Sequence, residues 1–473
     1  MSPTKTIEYP PVDASPVKLF FVSMLTRDIP LEESILDLLD NCIDGILRVA
    51  RKKKTRPYEG YYAEITFDKD TFSINDNCGG IPWDMHTYAF RMGRPKDAQT
   101  AEPGGVGVYG IGMKRAVFKM GRNAQISTQH GDHRYEVDIT PSWIDDDNDW
   151  NIPVTAAKKS RSEDGTTIVV GELYSSIAQR FSSDSRAFTN DLERMISTHY
   201  AFIIDKGFRV EINRVAVKPR PTRLIFDRSV ARRGASTIQP YIFRSTTPEG
   251  VSVFLAVGFT RPIPSEEEAA NTTEETKYSS LDAGWTVVCN DRAVLYCDRS
   301  ELTGWGEAGV PRFHNQFIAI AGIVEFKSDD PSQLPTTTTK RGIDASSRLY
   351  LQVKNKMREG MSLFTDYTNK WKGRADEARK QINAGVPLSF EQIRTESGNL
   401  RFKALKKSFP KGEQYRPSLP VPAKATSTKR RIAFSKDATE VRQLGEFLFE
   451  DPEYDPSGVG EKCFDIMLEE ATK

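Results

Sequence analysis

The stretch GGVGVYGIGMKRA, Gly104 to Ala116, places five glycines directly ahead of a helical run. Backbone N–H groups at a helix start form an anion site, and Lys114 adds a charge beside it. What precedes the glycines narrows the choice of fold. Gly105, Gly107 and Gly110 satisfy G-x-G-x-x-G, but a dinucleotide-binding unit requires a strand immediately before that pattern. Here the preceding residues are RPKDAQTAEP, a polar loop. No G-K-[S/T] follows, which removes the P-loop NTPases. The plain alternative is a flexible glycine hinge.

A chain of 473 residues suggests two or three domains. With 38% hydrophobic and 28% charged residues, its composition is that of a soluble globular protein. The net charge of +1 supplies no global field toward DNA or membranes, so any nucleic-acid contact must come from a local patch. The most apolar early stretch, VKLFFVSML, is far shorter than the roughly 18 residues of a membrane span. MSPTKTIEYPPVDASP has no apolar core, so no signal peptide is expected. The five cysteines, Cys42, Cys78, Cys289, Cys297 and Cys463, contain no C-x-x-C pair. No disulfide framework or zinc site is expected, and a reducing, cytoplasmic location fits best. His130 and His133 flank Gly131-Asp132 between AQIST and RYEVDI. Without a third ligand nearby they read as a hairpin turn, not a metal site.

Apolar Ile35, Leu38, Leu39, Ile43, Ile46 and Leu47 recur at helical spacing, after Asp28, Pro30, Glu32 and Glu33 and before Arg51-Lys52-Lys53-Lys54. These are helix start and stop signals. YAEITFD and TFSIND follow as short alternating strands. A helix over 112–120, strands in AQIST, RYEVDI and TTIVVGELY, a helix over 185–200 and the strand FRVEINR complete the first region. This order predicts an α+β sandwich with helices on one face of a mixed sheet. A strand-rich region over 219–345 and a helical region over 346–400 come next. Residues 401–432 read as a basic, proline-containing linker, and 433–473 as two short amphipathic helices.

DLLDNCIDG, Asp37 to Gly45, puts Asp37, Asn41 and Asp44 on one helix face. A carboxylate can polarise water, and a carboxamide oxygen one turn away can coordinate a hard cation. A solvated acidic stripe is the ordinary alternative. Asp40 points elsewhere and reads as a surface acid. INDNCGGIP, Ile74 to Pro82, sets Asp76 at a strand end before Gly79 and Gly80, and DGTTIVV brings Gly165-Thr166 into a strand.

These four stretches, in this order, resemble the boxes of the GHKL ATPase superfamily over residues 15–218. This is the fold of DNA gyrase B, MutL, MORC proteins, histidine kinases and the ninety-kilodalton heat-shock chaperone. DLLDNCID resembles the acid-leucine-x-x-Asn-x-x-Asp helix. DNCGG resembles Asp-x-Gly-x-Gly with Cys78 for the first glycine, GVYGIG resembles Gly-x-x-Gly-x-Gly, and GTTI resembles the Gly-Thr strand. The resemblance implies ATP and Mg as ligands. Asn41 would hold the metal and Asp76 would accept the adenine amine. Gly80 and Ile81 would line the base pocket, and Thr166 would support Asp76. Gly107, Val108, Tyr109, Gly110, Ile111, Gly112, Met113 and Lys114 would cradle phosphates, within a lid over 94–111. Asp37 stands where hydrolysing members usually carry Glu, so slow turnover is expected. Asp44 would brace the pocket.

LPTTTTKRGID resembles the transducer loop that places a lysine on the γ-phosphate, with Lys340 as that lysine. GWTVVCNDRAVLYCDRSELTGWG resembles transducer strands of MORC-like bacterial proteins. The resemblance thus implies a GHKL sandwich, a transducer-like α/β domain and C-terminal helices. The function expected is that of an ATP-driven clamp that homodimerises on ATP binding. DNA is its first candidate substrate, through 401–431, in a setting of restriction or phage defence. A nucleotide sensor that recruits a partner protein through the C-terminal helices is the alternative.

Overall fold

A computed structural model describes residues 17–49, 56–91, 111–158, 162–228, 237–271, 282–337, 342–382, 385–405, 412–423 and 432–473. The chain divides into two compact units, residues 1–422 and 423–473.

The first sheet of the larger unit contains β1 (Tyr62–Phe67), β2 (Phe72–Asp76), β3 (Gly121–His130), β4 (His133–Ile139), β5 (Val154–Ala156), β6 (Gly165–Leu173), β7 (Arg209–Ile212) and β8 (Val215–Ala216). Their order is β5-β4-β3-β6-β2-β1-β7-β8. Pairing is antiparallel except between β1 and β7. The intervening helices are α1 (Lys18–Thr26), α2 (Leu31–Val49), α3 (His86–Phe90), α4 (Gly112–Met120), α5 (Pro141–Asp145), α6 (Ser175–Ser182), α7 (Ser185–His199) and α8 (Ala201–Asp205).

Strand alternation explains what is buried. On β1 the inward residues are Ala63, Ile65 and Phe67, and on β2 they are Phe72, Ile74 and Asp76. They meet Ile35, Leu39 and Ile43 of α2, Ala116 and Met120 of α4, and Leu192 and Ile196 of α7 in one core. The same two-residue period that buries Ile74 therefore draws the Asp76 carboxylate under the helices. This is the expected α+β architecture of the GHKL type.

The second sheet runs β13 (Arg292–Asp298), β12 (Gly284–Cys289), β14 (Ile320–Lys327), β11 (Ser252–Phe259), β10 (Tyr241–Thr246), β17 (Gly412–Tyr415) and β16 (Lys403–Leu405). Strands β12 and β14 pair in parallel and are buried almost continuously, as befits strands covered on both faces. A separate ribbon joins β9 (Arg223–Phe226) to β15 (Val386–Ser389). Helices α9 (Glu266–Ala270), α10 (Arg348–Lys370), α11 (Ala375–Ile382) and α12 (Phe390–Glu396) complete the unit. Helix α10 buries Val353, Met357, Met361 and Phe364 against β11 and β14 residues.

Residues 403–405 and 412–415 fall in the segment read from composition as a linker, yet they extend this sheet. Ladder hydrogen bonds use backbone groups, and the outward charges pair across the strands, as Arg244 does with Glu413 at 2.7 Å. In the smaller unit, α13 (Ala438–Phe449) is capped by Asp437, and α14 (Pro456–Ala471) by Asp455 with Pro456 in its first turn. Phe447, Phe464 and Met467 of this helix pair are exposed.

Candidate functional site

The site is assembled from α2, the turn after β2, the start of β6 and the start of α4. Asp76 ends β2 with its side chain inward. Its Oδ1 accepts the Cys78 N–H at 2.7 Å and the Thr166 N–H at 3.3 Å. Its Oδ2 accepts the Cys42 thiol at 3.7 Å, a weak donor. A hydrogen bond with Cys78 draws the Cys42 pKa down, but burial and the Asp76 carboxylate outweigh it and push the thiol up to about 11. Cys42 therefore stays protonated and can donate to the carboxylate.

The turn is held in place by glycines and threonines. Gly79 and Gly80 have φ of +92° and +65°, a region that favours glycine. A Cβ on Gly80 would lie 1.9 Å from the Gln129 carbonyl oxygen. On the helix side, a Cβ on Gly45 would lie 2.4 Å from the Cys78 carbonyl oxygen, and one on Gly165 would lie 2.1 Å from the Asp76 carbonyl oxygen. Three chain segments, from α2, β3 and β6, thus approach the turn at backbone contact. The Ile81 N–H donates to Thr128 Oγ1 at 2.9 Å, and the Thr128 and Thr166 hydroxyls lie 3.1 Å apart. Arg48 reaches from α2 to the Gly80 carbonyl at 2.9 Å. Thr166 supports Asp76 through its backbone N–H, while its hydroxyl supports Thr128.

On α2 the polar residues divide by burial. Asp37 and Asp40 are buried, Asp44 is half-buried and Asn41 is exposed. Asp37 Oδ2 accepts Arg115 Nε at 3.0 Å and also the adjacent guanidinium nitrogen Nη2. Gly112 lies so close that a Cβ there would sit 3.3 Å from Asp37 Cβ, so α4 begins directly over the acid. Ile111, Gly112 and Met113 are half-buried at that start.

Two buried charges have partners that the local sequence does not announce. Lys114 is buried, and its ammonium donates to the carbonyls of Ala89 at 2.7 Å and Arg91 at 2.9 Å. Burial lowers its pKa to about 8. Its charge ties α4 to the end of α3. Asp40 is fully buried, not a surface acid. Its Oδ1 accepts Arg292 Nε and the Tyr200 hydroxyl, each at 2.6 Å.

Sequence reasoning missed Thr128, Arg115, Arg292 and the role of Gly45. Only Gly45 carried a signal, as a glycine inside an otherwise strong helix. Gly107, Val108, Tyr109 and Gly110 of the glycine-rich stretch, the lid before Ile111, and Lys340 lie outside the described residues.

Residues 29–167 match the family described as histidine kinase-, DNA gyrase B- and HSP90-like ATPase. No curated protein matches the chain. The matched span takes in α2, the Asp76 turn and Thr166. It supports a GHKL-type ATP-binding domain, which implies a divalent metal and ATPase activity. Among the described residues, no helix is long and apolar enough to cross a membrane.

Proposed function

We propose that the chain is a Mg-dependent, slowly hydrolysing ATP clamp that dimerises on ATP binding and acts on DNA or a DNA-associated complex. The observation that carries the ATP reading is Asp76. One oxygen accepts two backbone N–H groups, and the other accepts the Cys42 thiol, a weak donor. An exocyclic amine is a stronger donor than a thiol and would take that oxygen. The rigid turn through Gly79 and Gly80 would then lie along the base.

The donor set suits magnesium, which takes few protein ligands and completes its shell with phosphate oxygens and water. Asn41 would hold it, the exposed carboxamide that follows the buried acids Asp37 and Asp40 on α2. When bound, the ion neutralises charge on the phosphates. Asp37 would orient the attacking water, itself oriented by Arg115. An acid already engaged by a guanidinium has less freedom to orient water, which agrees with slow turnover. Lys340 would contact the γ-phosphate.

The ATPase rate and sedimentation behaviour of the full chain test this reading. Wild type should hydrolyse ATP slowly and dimerise on binding it. Asn41→Ala should lose binding, Asp37→Ala should bind without turnover, and Lys340→Ala should bind with impaired closure. Unchanged binding in Asn41→Ala would sink the assignment.

Support for a polyanionic substrate is local. Among the described residues, Arg220, Arg223 and Arg261 line a cavity of about 550 Å³ with one acid, Asp282, which pairs with Arg261. An electrophoretic shift whose salt slope survives deletion of 401–431 would remove that segment from the DNA role.

The Asp37–Arg115 pair also favours a second reading, a nucleotide sensor without hydrolysis that recruits a partner protein. Single-turnover hydrolysis by Asp37→Glu separates the two. A large gain over an inactive wild type identifies the sensor.

A further inference from the structure

The β12–β13 hairpin turns through Asn290 and Asp291, with φ of +48° and +69°. This is the two-residue geometry that suits a tight hairpin. The turn is tied to its own sheet: Asn290 donates to the Ser328 carbonyl at 3.1 Å and accepts the Ser328 N–H at 3.0 Å. Its tip, however, projects into the first sandwich. Asp291 accepts Lys206 at 2.7 Å and the Tyr58 hydroxyl at 3.1 Å. Arg292 reaches Asp40, beneath Tyr200, whose hydroxyl also donates to the Leu36 carbonyl at 2.8 Å. The imidazole of His199 meets the Ala293 carbonyl at 2.6 Å. Three consecutive residues of the second sheet, Asp291 to Ala293, are therefore fixed to α2, α7 and the segments around β1 and α8.

Asp40 is the residue next to Asn41. One helical turn thus carries the exposed carboxamide on one side and, on the other, an acid held by the second sheet. The arrangement is costly unless complete, because a buried charge left alone is strongly unfavourable. A rigid helix also cannot shift one of these residues without the other.

We infer that Arg292 is a positioning residue that sets α2, and with it Asn41, from the second sheet, so that nucleotide occupancy and the β12–β13 hairpin report on one another. This rests on the ATP reading of the site. By reciprocity, whatever nucleotide does to the hairpin, a change at the hairpin does to nucleotide affinity.

The test measures amide hydrogen exchange of residues 284–298 in the full chain, with and without a non-hydrolysable ATP analogue and Mg. Analogue affinity is measured separately by calorimetry. The analogue should slow exchange in the wild-type hairpin by about tenfold. Asp40→Leu/Arg292→Met removes both charges together, which buried pairs tolerate better than loss of one partner. It should retain folding and bind the analogue, while the hairpin becomes indifferent to it. Arg292→Lys, which keeps the charge but loses the planar guanidinium, should keep less than about half of the wild-type response.

An analogue-induced protection equal to wild type in both variants overturns the inference. So does an analogue that binds wild type and leaves 284–298 unchanged. Failure of wild type to bind the analogue at all instead removes the ATP reading beneath it.

Discussion

Gly80 carries a backbone conformation that side chains resist, and the space for a side chain is already filled by the Gln129 carbonyl. Gly80→Ala should therefore destabilise the protein by about 2–4 kcal/mol, combining left-handed strain with displacement of a neighbouring backbone. Thermal unfolding checks this, and a loss within about 0.5 kcal/mol would show that the turn can relax. Individual residues were unevenly legible in the sequence. Asp76 and its glycines could be found because a strand end followed by Gly-Gly is a local pattern. The carbonyl partners of Lys114 are not legible, because its position beside a glycine-rich helix start suggests only an anion partner. The carbonyls of Ala89 and Arg91 that hold it come from a separate helix end, which no local spacing announces. Asp40 was misjudged for a related reason. Helical periodicity assigns one apolar side, and nothing near Asp40 signals that Arg292, 252 positions later, covers another.

Helix α2 and the strands β1 to β4, β6 and β7 are legible as elements, since their apolar periods are clean and their ends carry strong turn or cap residues, whereas β5 is three exposed residues without such a period. The strands β16 and β17 are not, because short polar strands without apolar alternation resemble linker. The junction of α7 with the β12–β13 hairpin yields a pH prediction. Burial, reinforced by the Arg292 charge, lowers the His199 pKa to about 4. The groups that face it are Arg292, Asp40 and the Ala293 carbonyl. The unfolded chain takes up the proton near the ordinary value of 6.5, while the folded one does not until about pH 4. The neutral imidazole thus contributes stability that is complete above about pH 6.5 and is lost as pH falls toward 4, roughly 3 kcal/mol in all. Denaturant unfolding between pH 7 and 4 should show this slope. His199→Gln should flatten it, and an equal slope in the variant would place the titration elsewhere.

The molecule as a whole joins a GHKL-type sandwich to a second sheet through buried charge pairs and not only through apolar packing. Lys206 and Lys327 share Asp291, and Arg394 pairs with Glu325 beside them. Such a junction holds one arrangement in preference to others. Sedimentation should accordingly show a nucleotide-dependent dimer whose formation weakens in Asp40→Leu/Arg292→Met. A dimer that forms equally without nucleotide would argue against the clamp. All of this depends on Asp76 receiving an adenine. Calorimetric titration of ATP and Mg into wild type and Asp76→Asn tests that most directly. Asparagine keeps an acceptor for the Cys78 and Thr166 N–H groups but turns an amide donor toward the base. Wild type should bind, and Asp76→Asn should remain folded and lose about 100-fold or more in affinity. Equal affinities in the two proteins would contradict the account.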